Sequence, residues 1–187
     1  MQQQLAEMEK KPNVLAFKTA VAYAIYFLAL MFIFKLIGID SSNPELPMGE
    51  KIVSSVLSYI PFILAIVYVQ LTHKKELGGY ITFGRAFSAG FKVAAYSGLF
   101  IAVMMMLYYL VLDRQAYADL MDAAIEAAGD DENKIKGVEM MRPYMIFFIA
   151  FGGAVFYTFF GLVVSLIGAA VFKKVQPLYI EEEEKIG

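Results

Sequence analysis

The chain has 187 residues, 59% of them hydrophobic, and a formal net charge of −2. Cysteine is absent and His73 is the single histidine, which excludes disulfides, thiolate nucleophiles, Cys-ligated metals and His-rich metal sites. Ordinary soluble domains are about 45–50% apolar, whereas the apolar excess here is gathered into four long runs and lifts the mean hydropathy to +0.60.

Residues 1–13 form a polar leader ending near Pro12. The first run, 14–37, follows a leader with acids and ends in Lys35-Leu-Ile-Gly-Ile-Asp40. A cleavable signal has a shorter apolar region and a small-residue cleavage site, so the run reads as a retained first helix. The link Asp40–Glu50 has turn chemistry throughout and makes a hairpin with the second run, 52–71. Pro61 lies in the middle of that run, removes one backbone donor and kinks the helix. Ser54, Ser55, Ser58, Gln70 and Thr72 make this helix the most polar of the four. They either line water or, as is commoner in membranes, bond within their helix and to neighbouring helices.

The short basic link Thr72–Tyr80 ends in Gly78-Gly79 and leads into the third run, 87–112. Residues 113–142 are too many for a simple turn. Tyr117, Leu120, Met121, Ala124, Ile125 and Ala128 recur at three- and four-residue spacing, with Asp119, Asp122 and Glu126 opposite. That pattern predicts an amphipathic extramembrane helix over 115–128. A shorter helix around Asn133–Met141 leads into the fourth run, 144–172, and residues 176–187 form an acidic tail. At about 1.5 Å per residue each run is long enough to cross a hydrocarbon core of about 30 Å. The fold expected is therefore all-α, with residues 14–175 forming a four-helix transmembrane domain that includes the outer loop 113–142.

Charge sets the orientation. Lys10, Lys11, Lys18, Lys74, Lys75, Arg85, Lys92, Lys173, Lys174 and Lys185 fall on one side, and Lys35, Lys51, Arg114, Lys134, Lys136 and Arg142 on the other. The positive-inside rule puts the first group, with both termini, in the cytoplasm. Lys18, Lys35 and Lys92 lie close enough to run ends to snorkel. No Asp, Glu or His lies deep in any run, which argues against a proton relay.

Small residues recur at helical spacing. Gly90, Ala94, Gly98 and Ala102 are four apart in the third run, and Gly153, Gly161, Ser165 and Ala169 share a stripe in the fourth, interrupted by Tyr157. Such stripes let helix backbones approach, so the two helices are expected to pack on each other; the alternative is that one stripe faces a second subunit. Lys74, Lys75, Arg85 and Lys92 gather at the inner interface, either as contacts for anionic lipid head groups or as topology determinants alone. Phe17-Lys18-Thr19-Ala20 resembles Phe91-Lys92-Val93-Ala94, and Lys74-Lys75 resembles Lys173-Lys174, either as convergence, since the positive-inside rule imposes basic residues at those ends anyway, or as a duplicated hairpin would leave behind.

The segment Gly79-Tyr-Ile-Thr-Phe-Gly-Arg-Ala-Phe87, continuing to Gly90-Phe91, resembles a family of small bacterial membrane proteins known as a domain of unknown function. The resemblance covers about residues 14–175. It implies four membrane helices and a bacterial inner membrane, and carries no catalytic residues. No nucleophile–base pair, cofactor motif or metal-ligand spacing stands out, so neither an enzyme nor a cofactor is expected. Nucleic acid is not an expected partner; membrane lipids are, with a membrane-protein partner or a second copy of the chain. A non-catalytic scaffold or accessory subunit ranks first, a small-solute transporter or channel component second, and a membrane-embedded enzyme third.

Overall fold

The structure, a computed structural model, describes residues 11–39 and 46–176. Most of the polar leader, the centre of the first link and the acidic tail lie outside the described residues. Among the described residues, five α-helices follow in order: α1 Asn13–Leu36, α2 Met48–Glu76, α3 Phe83–Leu107, α4 Arg114–Ala128 and α5 Glu132–Phe172. A single π turn, Tyr108–Leu112, extends α3. No strand forms among the described residues; Ile81 and Lys174 alone exchange a pair of backbone hydrogen bonds, tying the α2–α3 link to the end of α5. Among the described residues four helices, α1, α2, α3 with its π turn, and α5, are long and apolar enough to cross a membrane, the architecture of a multi-pass membrane protein.

Four boundaries differ from those the sequence predicts. The separate helix around Asn133–Met141 and the fourth run are one helix of 41 residues, which passes through Pro143 without a break. Proline costs its helix one donor, here the one for the Glu139 carbonyl. Met140, Met141, Arg142 and Tyr144 are all exposed, so that carbonyl lies on an open surface where it can be solvated. Asp131 starts the helix by accepting from the amides of Asn133 at 3.0 Å and Lys134 at 3.2 Å, a side-chain N-cap. The second and third spans each begin four residues earlier than their apolar runs, at Met48 and Phe83, because helix continues through flanking polar residues that hydropathy discounts. The second also continues to Glu76, where Gly78 and Gly79, at φ +73° and +87°, turn the chain back.

Helix α3 contacts all three other spanning helices, most extensively α5 and then α1. Its interface with α5 is made possible by missing side chains. A Cβ on Gly98 would strike Thr158 and sit 2.7 Å from the backbone oxygen of Ala154. A Cβ on Gly161 would strike the Cβ of Ala94 and approach Phe62 to 2.9 Å. In a membrane such close approach supplies dispersion that lipid tails cannot match. Ala16, Ala20 and Ala24, four apart and fully buried, form a third small-residue stripe on α1 that the sequence reading passed over. Tyr157, which interrupts the α5 stripe, is buried instead in an aromatic cluster, 5.2 Å between ring centres from Phe62 and 6.2 Å from Tyr23.

Candidate functional site

Polar groups inside the bundle hold helices together. Gln70 of α2 is fully buried, and its amide nitrogen donates to the backbone of Ala86 on α3 at 3.1 Å and of Ser165 on α5 at 2.9 Å. Both amide hydrogens are thus used, one per neighbouring helix. The amide fits because Gly90 and Gly168 have no side chains: a Cβ on Gly90 would lie 2.7 Å from the amide nitrogen, and one on Gly168 would strike the amide oxygen. That oxygen has no N–H or O–H partner among the described residues. A Gly168 Cα–H stands in its direction, which leaves it the weak contact such a hydrogen provides. Ser165 bonds back to the Gly161 carbonyl at 2.6 Å, and Ser54 to that of Lys51 at 3.1 Å.

The backbone bond lost at Pro61 is replaced from α1. Proline deprives the Leu57 carbonyl of its helical donor, and the Tyr26 hydroxyl donates to that carbonyl at 2.8 Å. The adjacent Ser58 carbonyl accepts from Tyr23 at 2.7 Å. A sequence that places Pro in one span and two tyrosines three apart in its hairpin partner contains this device, but neither residue alone signals it.

At the basic end, Lys74, Arg85 and Lys92 are half-buried and Lys75, Lys173 and Lys174 exposed. Lys174 lies 5.2 Å from the centre of the Tyr80 ring. His73, almost fully buried, contacts Glu76 at 3.4 Å, with Arg85 and Lys92 near enough to act on it electrostatically. Of the small residues singled out from sequence, Gly90, Ala94, Gly98, Ala102, Gly161, Ser165 and Ala169 are buried, and Gly153 is half-buried with Met105 sulfur 3.1 Å from where its Cβ would be.

The opposite end holds the best-formed site. A cavity of about 570 Å³ lies between α1, α3 with its π turn, α4 and α5, and reaches Ser58 of α2. Its walls are Phe27, Leu30, Met31, Phe34, Met105 and Ile149 toward the bundle, with Leu120 of α4 above; Lys35, Tyr108, Tyr109 and Asp119 supply polar groups. Helix α4 sits over it with Met121 buried, Tyr117, Leu120, Ala124 and Ile125 half-buried, and Asp119, Asp122 and Glu126 exposed.

Asp113 fastens this cover. The π turn carries a hydrogen bond from the Asp113 amide to the Tyr108 carbonyl at 2.8 Å, which sets these two residues on one side of the chain. One carboxylate oxygen caps α4 by accepting from the Ala116 amide at 3.1 Å; the other accepts from the Tyr108 hydroxyl at 3.1 Å and pairs with Lys35 of α1. The Lys35 ammonium holds the Asp113 carboxyl below the ordinary aspartate range, and the Ala116 amide and Tyr108 hydroxyl act in the same direction against partial desolvation. Further along, the Tyr117 hydroxyl donates to the Arg142 carbonyl, and Arg142 pairs with Asp122 at 3.6 Å, joining α4 to the start of α5. Nothing in the sequence patterns marked Lys35, Tyr108 or Asp113 as a group, because they come from three elements.

No set of three or more His, Asp or Glu residues placed to hold a metal ion occurs among the described residues. The fold defines a class: a multi-pass helical bundle with a cavity under an additional helix at one end. Within it, the chain belongs to the family described as Protein of unknown function (DUF4199), which matches residues 18–174. No curated protein and no solved structure matches it.

Proposed function

We propose that this is a non-catalytic accessory or scaffold subunit of a bacterial inner membrane, with both termini cytoplasmic. Its recognition surface is the end where α4 packs on the first turns of α5. The length of α5 carries this reading. Forty-one residues make a rod of about 60 Å, twice the thickness of a hydrocarbon core. Even at a tilt of about 40° it would extend well past that core. Its early turns, braced by Tyr117 and Arg142 against α4, give a rigid helical pair outside the membrane, suited to hold a membrane-protein partner or a second copy of the chain. On the cytoplasmic side, Lys74, Lys75, Arg85 and Lys92 would contact anionic head groups, at about 1 kcal/mol per basic residue near the surface.

Affinity purification of the full chain in mild detergent, followed by mass spectrometry, tests the proposal. A fixed companion chain, or a discrete homo-oligomer, is expected. It should be lost when exposed residues of the early turns of α5, such as Met140 and Glu139, are replaced by Arg. A lone monomer that still folds would overturn it. A second reading, small-solute transport, is favoured by one observation: the cavity reaches Ser58, three residues before Pro61. Solute flux into liposomes holding only this chain would decide for it.

A further inference from the structure

The cavity under α4 pairs an apolar body with an unbalanced charge. Its volume of about 570 Å³ lies inside the range of about 300–1,000 Å³ usual for small-molecule sites. Most of the lining is aromatic and aliphatic, and within it Tyr108 and Tyr109 stand edge to face with ring centres 5.0 Å apart. Among the described residues, three charges adjoin this cavity. Lys35 is neutralised by Asp113. Asp119 lines the cavity too; among the described residues it accepts only a neutral contact, from the Gln115 amide at 2.9 Å, and pairs with no cation. One negative charge is therefore in surplus. The first-turn amides of α4, which otherwise attract anions, already have the Asp113 carboxylate on Ala116.

We propose that this cavity binds an organic cation with an apolar body, such as a hydrophobic amine or a quaternary onium ion. The apolar part lies against Phe27, Leu30 and Met105, and the positive centre stands between the Asp119 carboxylate and the tyrosine faces. Cations within about 6 Å of an aromatic ring centre are drawn to its negative face, and a carboxylate beside the rings adds to that attraction. An anionic ligand would meet the reverse situation, since Lys35 would have to be taken from Asp113 while Asp119 repels it. The site requires no partner chain, so it stands or falls separately from the scaffold reading.

Tetraphenylphosphonium and tetraphenylborate are nearly identical in shape and opposite in charge, and both are small enough for the cavity. Equilibrium dialysis is run with the purified full chain in lipid nanodiscs, with empty nanodiscs subtracted. The phosphonium is expected to bind saturably at one site per chain. Asp119→Asn should weaken binding by about fivefold, the scale of one exposed ion pair, and leave the elution volume and helical signal unchanged, because Asp119 is a surface residue. Leu120→Trp, which fills the cavity from α4, should abolish saturable binding. Three results would overturn the proposal: no saturable uptake above empty nanodiscs, tetraphenylborate binding as tightly as the phosphonium, or phosphonium binding unaltered by Asp119→Asn.

Discussion

Tyr26→Phe isolates what the hydroxyls of α1 do for the proline-containing α2. The substitution keeps the ring, and with it the contact to Tyr23 at 6.1 Å between centres, and removes only the donor to the Leu57 carbonyl at 2.8 Å. In an ordinary helix that loss would be mild, because the carbonyl keeps its own amide donor four residues on. Here residue 61 is proline, and the carbonyl is left without that donor. A typical net hydrogen bond contributes about 0.5–1.5 kcal/mol, and leaving a polar group unpaired costs about 1–3 kcal/mol. Interhelical bonds measured in a membrane protein average about 0.6 and reach about 1.7 kcal/mol. Tyr26→Phe should therefore cost about 1.5 kcal/mol with Pro61 present. With Pro61→Ala, residue 61 regains its N–H and the same substitution should cost about 0.5 kcal/mol, a coupling of about 1 kcal/mol. Reversible unfolding in mixed detergent–SDS micelles, applied to the four proteins of the cycle, measures it. Equal costs of Tyr26→Phe in both backgrounds would refute the idea that α1 replaces the donor lost at the proline.

Gly98→Ala must push α3 off the α5 backbone at Ala154 and should destabilise by about 1–3 kcal/mol, whereas Gly152→Ala, with nothing within 4 Å of its new Cβ, should be neutral or stabilise by up to about 1 kcal/mol; the same unfolding assay compares them. Gly168→Ala and Gln70→Ala disrupt one clamp, so the double variant should lose little more stability than the worse single one, and additive losses would refute a shared role. Asp113 has a depressed carboxyl pKa, so its stabilisation of α4 is fully present above the unfolded aspartate pKa of about 3.9 and is lost as pH falls through the lower folded value. The protection of α4 amides, the slowing of their exchange relative to an unstructured chain at the same pH, should fall below about pH 4 in the natural chain, while in Asp113→Asn it should be low already at neutral pH and lose that acid step.

Much of the architecture is legible in the chain itself. Four runs of apolar residues longer than a bilayer core must become helices, since only a helix satisfies every backbone group locally in lipid. The stripes of Gly90 to Ala102 and Gly153 to Ala169 can be read because helical periodicity is a local property. Apolar–polar alternation likewise points to a helix over 115–128, and the structure has one at Arg114–Ala128. Helix continuity through Pro143 was not legible, because hydropathy cannot report whether a freed carbonyl is exposed. The candidate site was not legible either. Lys35, Asp113 and Tyr108 meet only after α1 and α3 are side by side and a π turn has rotated the end of α3, and Asp119 lines a cavity only once α4 lies over it. Gln70 reads from sequence as a polar residue near a helix end; tertiary packing makes it a clamp, between two glycines from different helices. Membrane insertion is decided residue by residue along the chain, whereas a site is decided by which side chains of separate helices arrive at one point, and that depends on crossing geometry that no local pattern contains.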